Sequence, residues 1–325
     1  VINMNNLKKI GLSALAGSLA TFSATAADFS VTGGAALYFD DPNRGKGDKG
    51  NSFYMGDSLK FNASGETDGG LTVGVYYEID QDDMDDYDMN IGGDWGTLAF
   101  HGSGGSTALG AVDDVMPNAY EEAWDVIDTD GAATSGSPHT IGGGSGSNMF
   151  KYTSPNFSGA TLTVAYVDGS NSAAIEDSYM DFAIAVSPEA VEGLTLGYAS
   201  SDNQAGVGVD NDKSTMYAKY AVGGFTLGYQ ISDQDHDTAS LDREATIYGV
   251  SYAVNDDFSI AYTSHTMDYD AAKTTNNTDQ ESTGISASYT MGGMTLAGAM
   301  NEVDAMQGTA TKDFEGYEFS LSFAF

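Results

Sequence analysis

The stretch LTVGVYYEI, residues 71–79, puts Leu71, Val73, Val75, Tyr77 and Ile79 on one face of an extended chain, with Thr72, Gly74, Tyr76 and Glu78 on the other. A period of two with one apolar and one polar face marks a strand. The pattern returns in ATLTVAYVD (160–168), LTLGYASSD (194–202), FTLGYQISD (225–233), FSIAYTSHT (258–266) and MTLAGAMNE (294–302). Each copy opens apolar-Thr-Leu or apolar-Ser-Ile, or close to it, and runs into small and aromatic residues. One structural solution is used repeatedly.

The connections alternate in length. Short turns rich in Gly, Asn and Asp stand at 67–70, 156–159, 188–193, 223–224, 255–257 and 292–293. Glycine and Asn/Asp supply the positive φ that tight hairpins need. Longer polar loops lie at 40–51, 80–84, 103–147, 169–177, 202–212, 234–242, 267–281 and 303–313. Eight loops separated by seven turns predict 16 antiparallel strands. Short turns at one end, long loops at the other and strands of about ten residues are the pattern of a transmembrane β-barrel. Within lipid every backbone group must be paired, so a spanning sheet has to close on itself. A soluble sandwich also alternates, but does not need the strict alternation of short and long connections. The expectation is an all-β chain forming a 16-stranded antiparallel transmembrane β-barrel. Its lumen-facing polar residues account for a mean hydropathy of -0.24.

The composition narrows the function. The 325 residues carry 12 Lys+Arg against 47 Asp+Glu, a formal net charge of -35. No nucleic-acid partner fits, because phosphate neutralisation needs clustered cations. Cationic solutes, divalent ions or a solvated acidic surface fit. There is no cysteine, which removes thiolate metal sites, thiol nucleophiles and disulfides.

Met4 to Ala27 reads MNNLKKIGLSALAGSLATFSATAA. Lys8 and Lys9 precede a short apolar segment, and Ala24-Thr25-Ala26 is a small-x-small cleavage signal. This predicts a Sec signal peptide over 1–26, with residues 1–3 as extra upstream sequence and a mature barrel over 27–325. The apolar segment is too short to span a membrane.

The chain ends in FEGYEFSLSFAF (314–325), with Tyr317, Phe319, Leu321, Phe323 and Phe325 on one face. An aromatic-rich last strand ending in Phe resembles the assembly signal of Gram-negative outer-membrane proteins. With the leader, DFSVTGGAALYF (28–39) and the strand count, the mature chain resembles a Gram-negative general diffusion porin of the alphaproteobacterial type. The resemblance implies a homotrimer in the outer membrane, in contact with its lipids, with one pore per barrel. It also implies that the third long loop, 103–147, folds inward and narrows that pore.

That loop contains DDVMPNAYEEAWD (113–125). Val112, Met116, Tyr120, Ala123, Trp124 and Ile127 fall near helical spacing, and Pro117 suits a first helical turn. The spacing predicts a short helix with an apolar stripe against the barrel wall. Asp113, Asp114, Glu121, Glu122 and Asp125 would face the lumen. The residues alone leave open an external loop with a solvated acidic face. The resemblance implies the inward placement, with basic residues on the wall opposite. The candidates there are Lys60, His101 and Lys151, each on a strand near the loop in chain order. With so few cations available, the expected pore prefers cations.

DQDDMDDYD (80–88) places six aspartates at the second long loop. Hard divalent ions want several carboxylate oxygens, so Asp82, Asp83, Asp85 and Asp86 are candidate Ca2+ ligands, though EF-hand spacing is absent. GGDWG (92–96) is similar to a fragment of calcium β-roll repeats, without their array. No G-x-S-x-G or H-E-x-x-H motif occurs. The expected function is passive diffusion of small hydrophilic solutes and ions, not catalysis. The alternatives are a secreted or surface calcium-binding adhesive β protein and an outer-membrane hydrolase.

Overall fold

Sixteen antiparallel strands pair each with its chain neighbour, and the last pairs with the first, so the sheet has no free edge. The computed structural model describes residues 28–40, 52–80, 83–126, 139–144, 146–169, 178–202, 211–236, 242–269 and 278–325. The expected leader over 1–26 lies outside them.

The strands are β1 (Asp28–Asp40), β2 (Phe53–Glu66), β3 (Thr72–Asp80), β4 (Asp83–Gly93), β5 (Gly96–Ser103), β6 (Met149–Thr153), β7 (Ala160–Val167) and β8 (Tyr179–Val186). They continue as β9 (Leu194–Asp202), β10 (Asn211–Val222), β11 (Phe225–His236), β12 (Arg243–Ala253), β13 (Phe258–Tyr269), β14 (Gln280–Met291), β15 (Met294–Asp304) and β16 (Phe314–Ala324). Closure runs from Gly34 opposite Ala324 to Asp40 opposite Glu318. Beyond that register Gly33 and Phe325 exchange two backbone hydrogen bonds of 2.9 Å. The terminal aromatic strand therefore seals the cylinder.

The period-two pattern sorts the two faces. Val31, Leu37, Leu59, Ile79, Met89, Phe182, Leu196, Leu227, Ile285 and Phe319 are exposed on the outside, where acyl chains replace water. The opposite parity turns Asp181, Gln230, Ser232, His265, Gln280, Ser286, Asn301 and Glu318 inward, and these are buried. At the long-loop ends the outward residues become acidic. Asp233 lies opposite Glu244, Glu244 opposite Asp268, Glu281 opposite Asp304 and Glu302 opposite Glu315. Facing like charges destabilise a sheet, so these pairs suit the hydrated rim rather than the apolar band.

One expectation needs correction here. The aspartate run is not a loop: β4 begins at Asp83. Met84 pairs with Ile79 and Tyr87 with Tyr77, so Asp85 and Asp86 form a β-bulge opposite Glu78. Asp83, Asp85 and Asp86 are not among the acids whose ligand atoms lie within 4.8 Å of one another, and Asp82 lies outside the described residues. GGDWG is the hairpin between β4 and β5, with Gly93 opposite Gly96 and Gly96 at φ 108°. It is the turn that completes the short set.

Candidate functional site: the pore constriction

The chain between β5 and β6 runs inside the barrel, because its partners are inward-facing wall residues. At its start, the Ala108 and Leu109 N–H groups donate to the two Asp181 carboxylate oxygens on β8, at 3.0 and 2.9 Å. The Tyr179 hydroxyl donates to the same carboxylate at 2.8 Å. Further on, Gln230 of β11 accepts from Val115 N–H at 3.3 Å and donates to the Asp113 carbonyl at 2.6 Å. Ala119 N–H reaches Ser286 Oγ on β14 at 3.1 Å. Asn301 of β15 accepts from Val126 N–H and donates to the Glu122 carbonyl, both at 3.0 Å.

These contacts replace the helix that spacing predicts over 113–125. The described loop contains one 3-10 turn, Gly110–Val112, and no α-helix. The physical reason is competition for backbone groups. Wall amides and hydroxyls take the N–H and C=O groups that a helix would bond internally, satisfying the same requirement. The clustered carboxylates, with no Lys or Arg among them, add repulsion that a helix would concentrate.

The apolar residues of the segment do reach the wall. Met116, Ala123, Trp124 and Val126 form a buried cluster with Tyr217, Ile247, Val303 and Met306, and Val112 and Tyr120 pack against it. Trp124 stacks on His139 at 5.8 Å and meets His265 of β13 edge-on at 4.8 Å. His139 Nδ1 lies 2.7 Å from Gln280 Nε2. Ile127 lies outside the described residues.

On the lumen side, a cavity of about 610 Å³ separates the loop from β1, β2, β3 and β16. Glu121 and Asp125 line it from the loop, and Glu78, Asp80 and Glu318 from the wall. Tyr38 and Tyr54 lie beside them, stacked at 4.7 Å. The aperture is thus carboxylate on both sides. Glu121, Glu122 and Asp125 bring one oxygen each within 4.8 Å of one another, the grouping of acids close enough for a cation among the described residues.

Burial raises the loop acids, because a carboxylate loses water on docking. Asp113 is pushed up to about 7, by burial first and then by Asp114. Glu121 is pushed up to about 8, by burial and Asp125. Glu122 reaches about 9, by burial and its contacts with Asp125. Asp114 is raised by burial and Asp125.

The three basic candidates lie on β2, β5 and β6, and none of them lines the cavity beside Glu121 and Asp125. Lys60 Nζ is 3.3 Å from Glu78 Oε1, and Tyr76 donates to the same carboxylate. His101 Nδ1 is 4.0 Å from Asp88. Lys151 Nζ donates to the Ser106 carbonyl at 3.1 Å and fastens the start of the loop. Among the other described cations, Lys213 donates to the Gly142 carbonyl at 2.8 Å. Lys219 and Arg243 lie over Tyr217 and Tyr269. Sequence reasoning missed Asp181, Gln230, Asn301 and Glu318. Their signal was parity: each is a polar residue on the inward row of a regular strand.

A closed sixteen-strand barrel with a loop held across its lumen defines an outer-membrane pore. The Gram-negative porin family model matches residues 11–325, and the chain belongs to that family. Solved structures agree in fold. An anion-selective porin from Comamonas acidovorans superposes with a TM-score of 0.68 at 16% identity, covering 92% of this chain and 100% of that one. A loop L8 deletion mutant of OmpT from Vibrio cholerae gives 0.65 at 13%, with the same coverage. A mutant of the Rh. blastica porin gives 0.62 at 16%, again covering 92% and 100%. No curated protein matches the chain in sequence. The protein is an outer-membrane porin of a Gram-negative bacterium.

Proposed function

We propose that this porin passes small hydrophilic solutes and ions by passive diffusion and prefers cations. The observation that carries the preference is the aperture itself. Among the described residues, carboxylates stand on both sides of it, and Lys60 and Lys151 are engaged by Glu78 and a loop carbonyl. A cation crossing there meets favourable potential from loop and wall alike, and an anion meets none. No catalytic step is needed. Swelling of liposomes containing the protein tests this with size-matched solutes. Entry should run cation first, neutral second and anion last; equal rates for cation and anion would oppose it.

We also infer that three copies associate through the outer face of β1 and β2. Asp57 points outward there between the exposed Met55 and Leu59. A carboxylate facing acyl chains is costly, and a subunit contact shelters it. Cross-linking in native membranes should yield a trimer, and only monomer would oppose the assignment. Divalent cations at Glu121, Glu122 and Asp125 would be transient occupants of the path, not a structural cofactor.

A further inference from the structure

Three inward rows of the wall are broken by glycine where the loop touches. Gly228 of β11 and Gly249 of β12 lie directly opposite each other in register, and Gly284 of β14 lies opposite Asn301 of β15. A Cβ on Gly228 would stand 2.5 Å from Pro117 Cδ and 2.7 Å from Met116 Sδ. One on Gly249 would stand 2.8 Å from the Pro117 carbonyl oxygen, and one on Gly284 2.4 Å from Asn301 Nδ2 and 2.7 Å from Ala123 Cα. None of the three has positive φ, so backbone conformation does not demand glycine. Glycine inside a strand weakens it relative to alanine, and its usual reason is another chain approaching closely.

Each pit has a side-chain amide beside it. Gly228 lies two residues from Gln230, which clasps the Asp113 carbonyl and Val115 N–H. Gly284 faces Asn301, which clasps the Glu122 carbonyl and Val126 N–H. The loop is thus seated at Met116–Pro117 and at Ala123, one pit and one amide at each point. Glu121 and Asp125, which line the aperture, flank the second seat.

We propose that Gly228, Gly249 and Gly284 are positioning residues that fix the distance of the constriction loop from the wall, and through it the pore's aperture and selectivity. This rests on the channel reading above. A methyl group in a pit drives the loop toward the pore axis and brings its carboxylates nearer the opposite wall. The groove sets the aperture without contributing an atom to its lining.

The test is single-channel recording in KCl across planar bilayers, with heat-modifiable migration as the check on barrel assembly. Gly228→Ala should lower conductance about twofold, as expected when a narrow pore loses width, and should shift the reversal potential. Removing the side chains that the new methyl meets, with Met116→Ala and Pro117→Ala added to Gly228→Ala, should restore conductance toward wild type. Gly74→Ala changes an inward glycine that faces Asn90 rather than the loop, and should leave conductance unchanged. If Gly228→Ala fails to assemble, restored assembly in the triple variant supports the proposal, and persistent failure overturns it. An assembled Gly228→Ala pore with wild-type conductance and reversal potential also overturns it. Wild-type protein that does not conduct would instead defeat the channel reading.

Discussion

Lys60 stands 3.3 Å from Glu78 on the inner wall, and the two are direct cross-strand neighbours of β2 and β3. This pairing decides what the opposite wall presents to the loop. A lysine held by a carboxylate one strand away, with a tyrosine hydroxyl on the same carboxylate, adds little positive potential to the aperture. The Lys60 side chain is 44% exposed, so the pair is screened by water and contributes at most about 1 kcal/mol. Lys60→Gln should therefore leave a more negative wall and raise the cation/anion permeability ratio. Glu78→Gln should free the lysine and lower the ratio. Both shifts should shrink at high salt, and opposite signs in reversal-potential measurements would refute the pairing.

The loop carboxylates should carry more of the selectivity. A unit charge about 4 Å from an ion in water contributes about 1 kcal/mol, roughly a fivefold preference. Measured above pH 8 or so, where Glu121 is ionised, Glu121→Gln with Asp125→Asn should lower the permeability ratio by a factor of about two to five on that scale. Asp113→Asn with Asp114→Asn should have a smaller effect, because neither lines the cavity as Glu121 and Asp125 do. Equal effects from the two pairs would show that the aperture lies elsewhere.

Selectivity should rise with pH. Asp113, Glu121 and Glu122 are raised to about 7, 8 and 9 by burial and by their acidic neighbours. They are mostly neutral at low pH and ionise as pH climbs through that range. The sign for docking is opposite. Folded values above the ordinary carboxylate range mean that docking is strongest at low pH and weakens as pH rises through the folded values. Reversal potentials from pH 6 to about 10 should show a growing cation preference. The rise should be smaller in Glu122→Gln, and a flat profile would contradict the burial of these acids.

Strong acid should loosen the loop from the other side. His139 is pushed down to about 4 by burial, so the docked loop holds it neutral, with Nδ1 beside Gln280. A depressed histidine value means stability that is full above the ordinary pKa of about 6.5 and is lost as pH falls toward the folded value. Channel noise should increase below pH 5 or so as the imidazole charges against Trp124. His139→Phe keeps a ring for Trp124 to stack on and should remove that increase.

Much of the barrel was legible because its physics is local and repeated. LTVGVYYEI shows its two faces at every second residue, and turn glycines punctuate the rest. The Asp80–Asp88 run misled because its charge suggested a loop, whereas the outer rim of a barrel tolerates a charged strand. The constriction was legible in composition and not in conformation. Met116 and Trp124 announced an apolar face, but the groups that override the helix, Gln230, Ser286 and Asn301, lie more than 100 residues away along the chain. Lys60 shows the same limit: its parity pointed inward correctly, but its partner is set by the register of β2 against β3.

The reversal potential of the wild-type channel under a KCl gradient, recorded in planar bilayers near neutral pH, tests the account most directly. A carboxylate-lined aperture predicts a potential of the sign set by K+ crossing faster than Cl-, shrinking as the salt concentration rises. A potential near zero at low salt, or one of the sign set by Cl-, would contradict it.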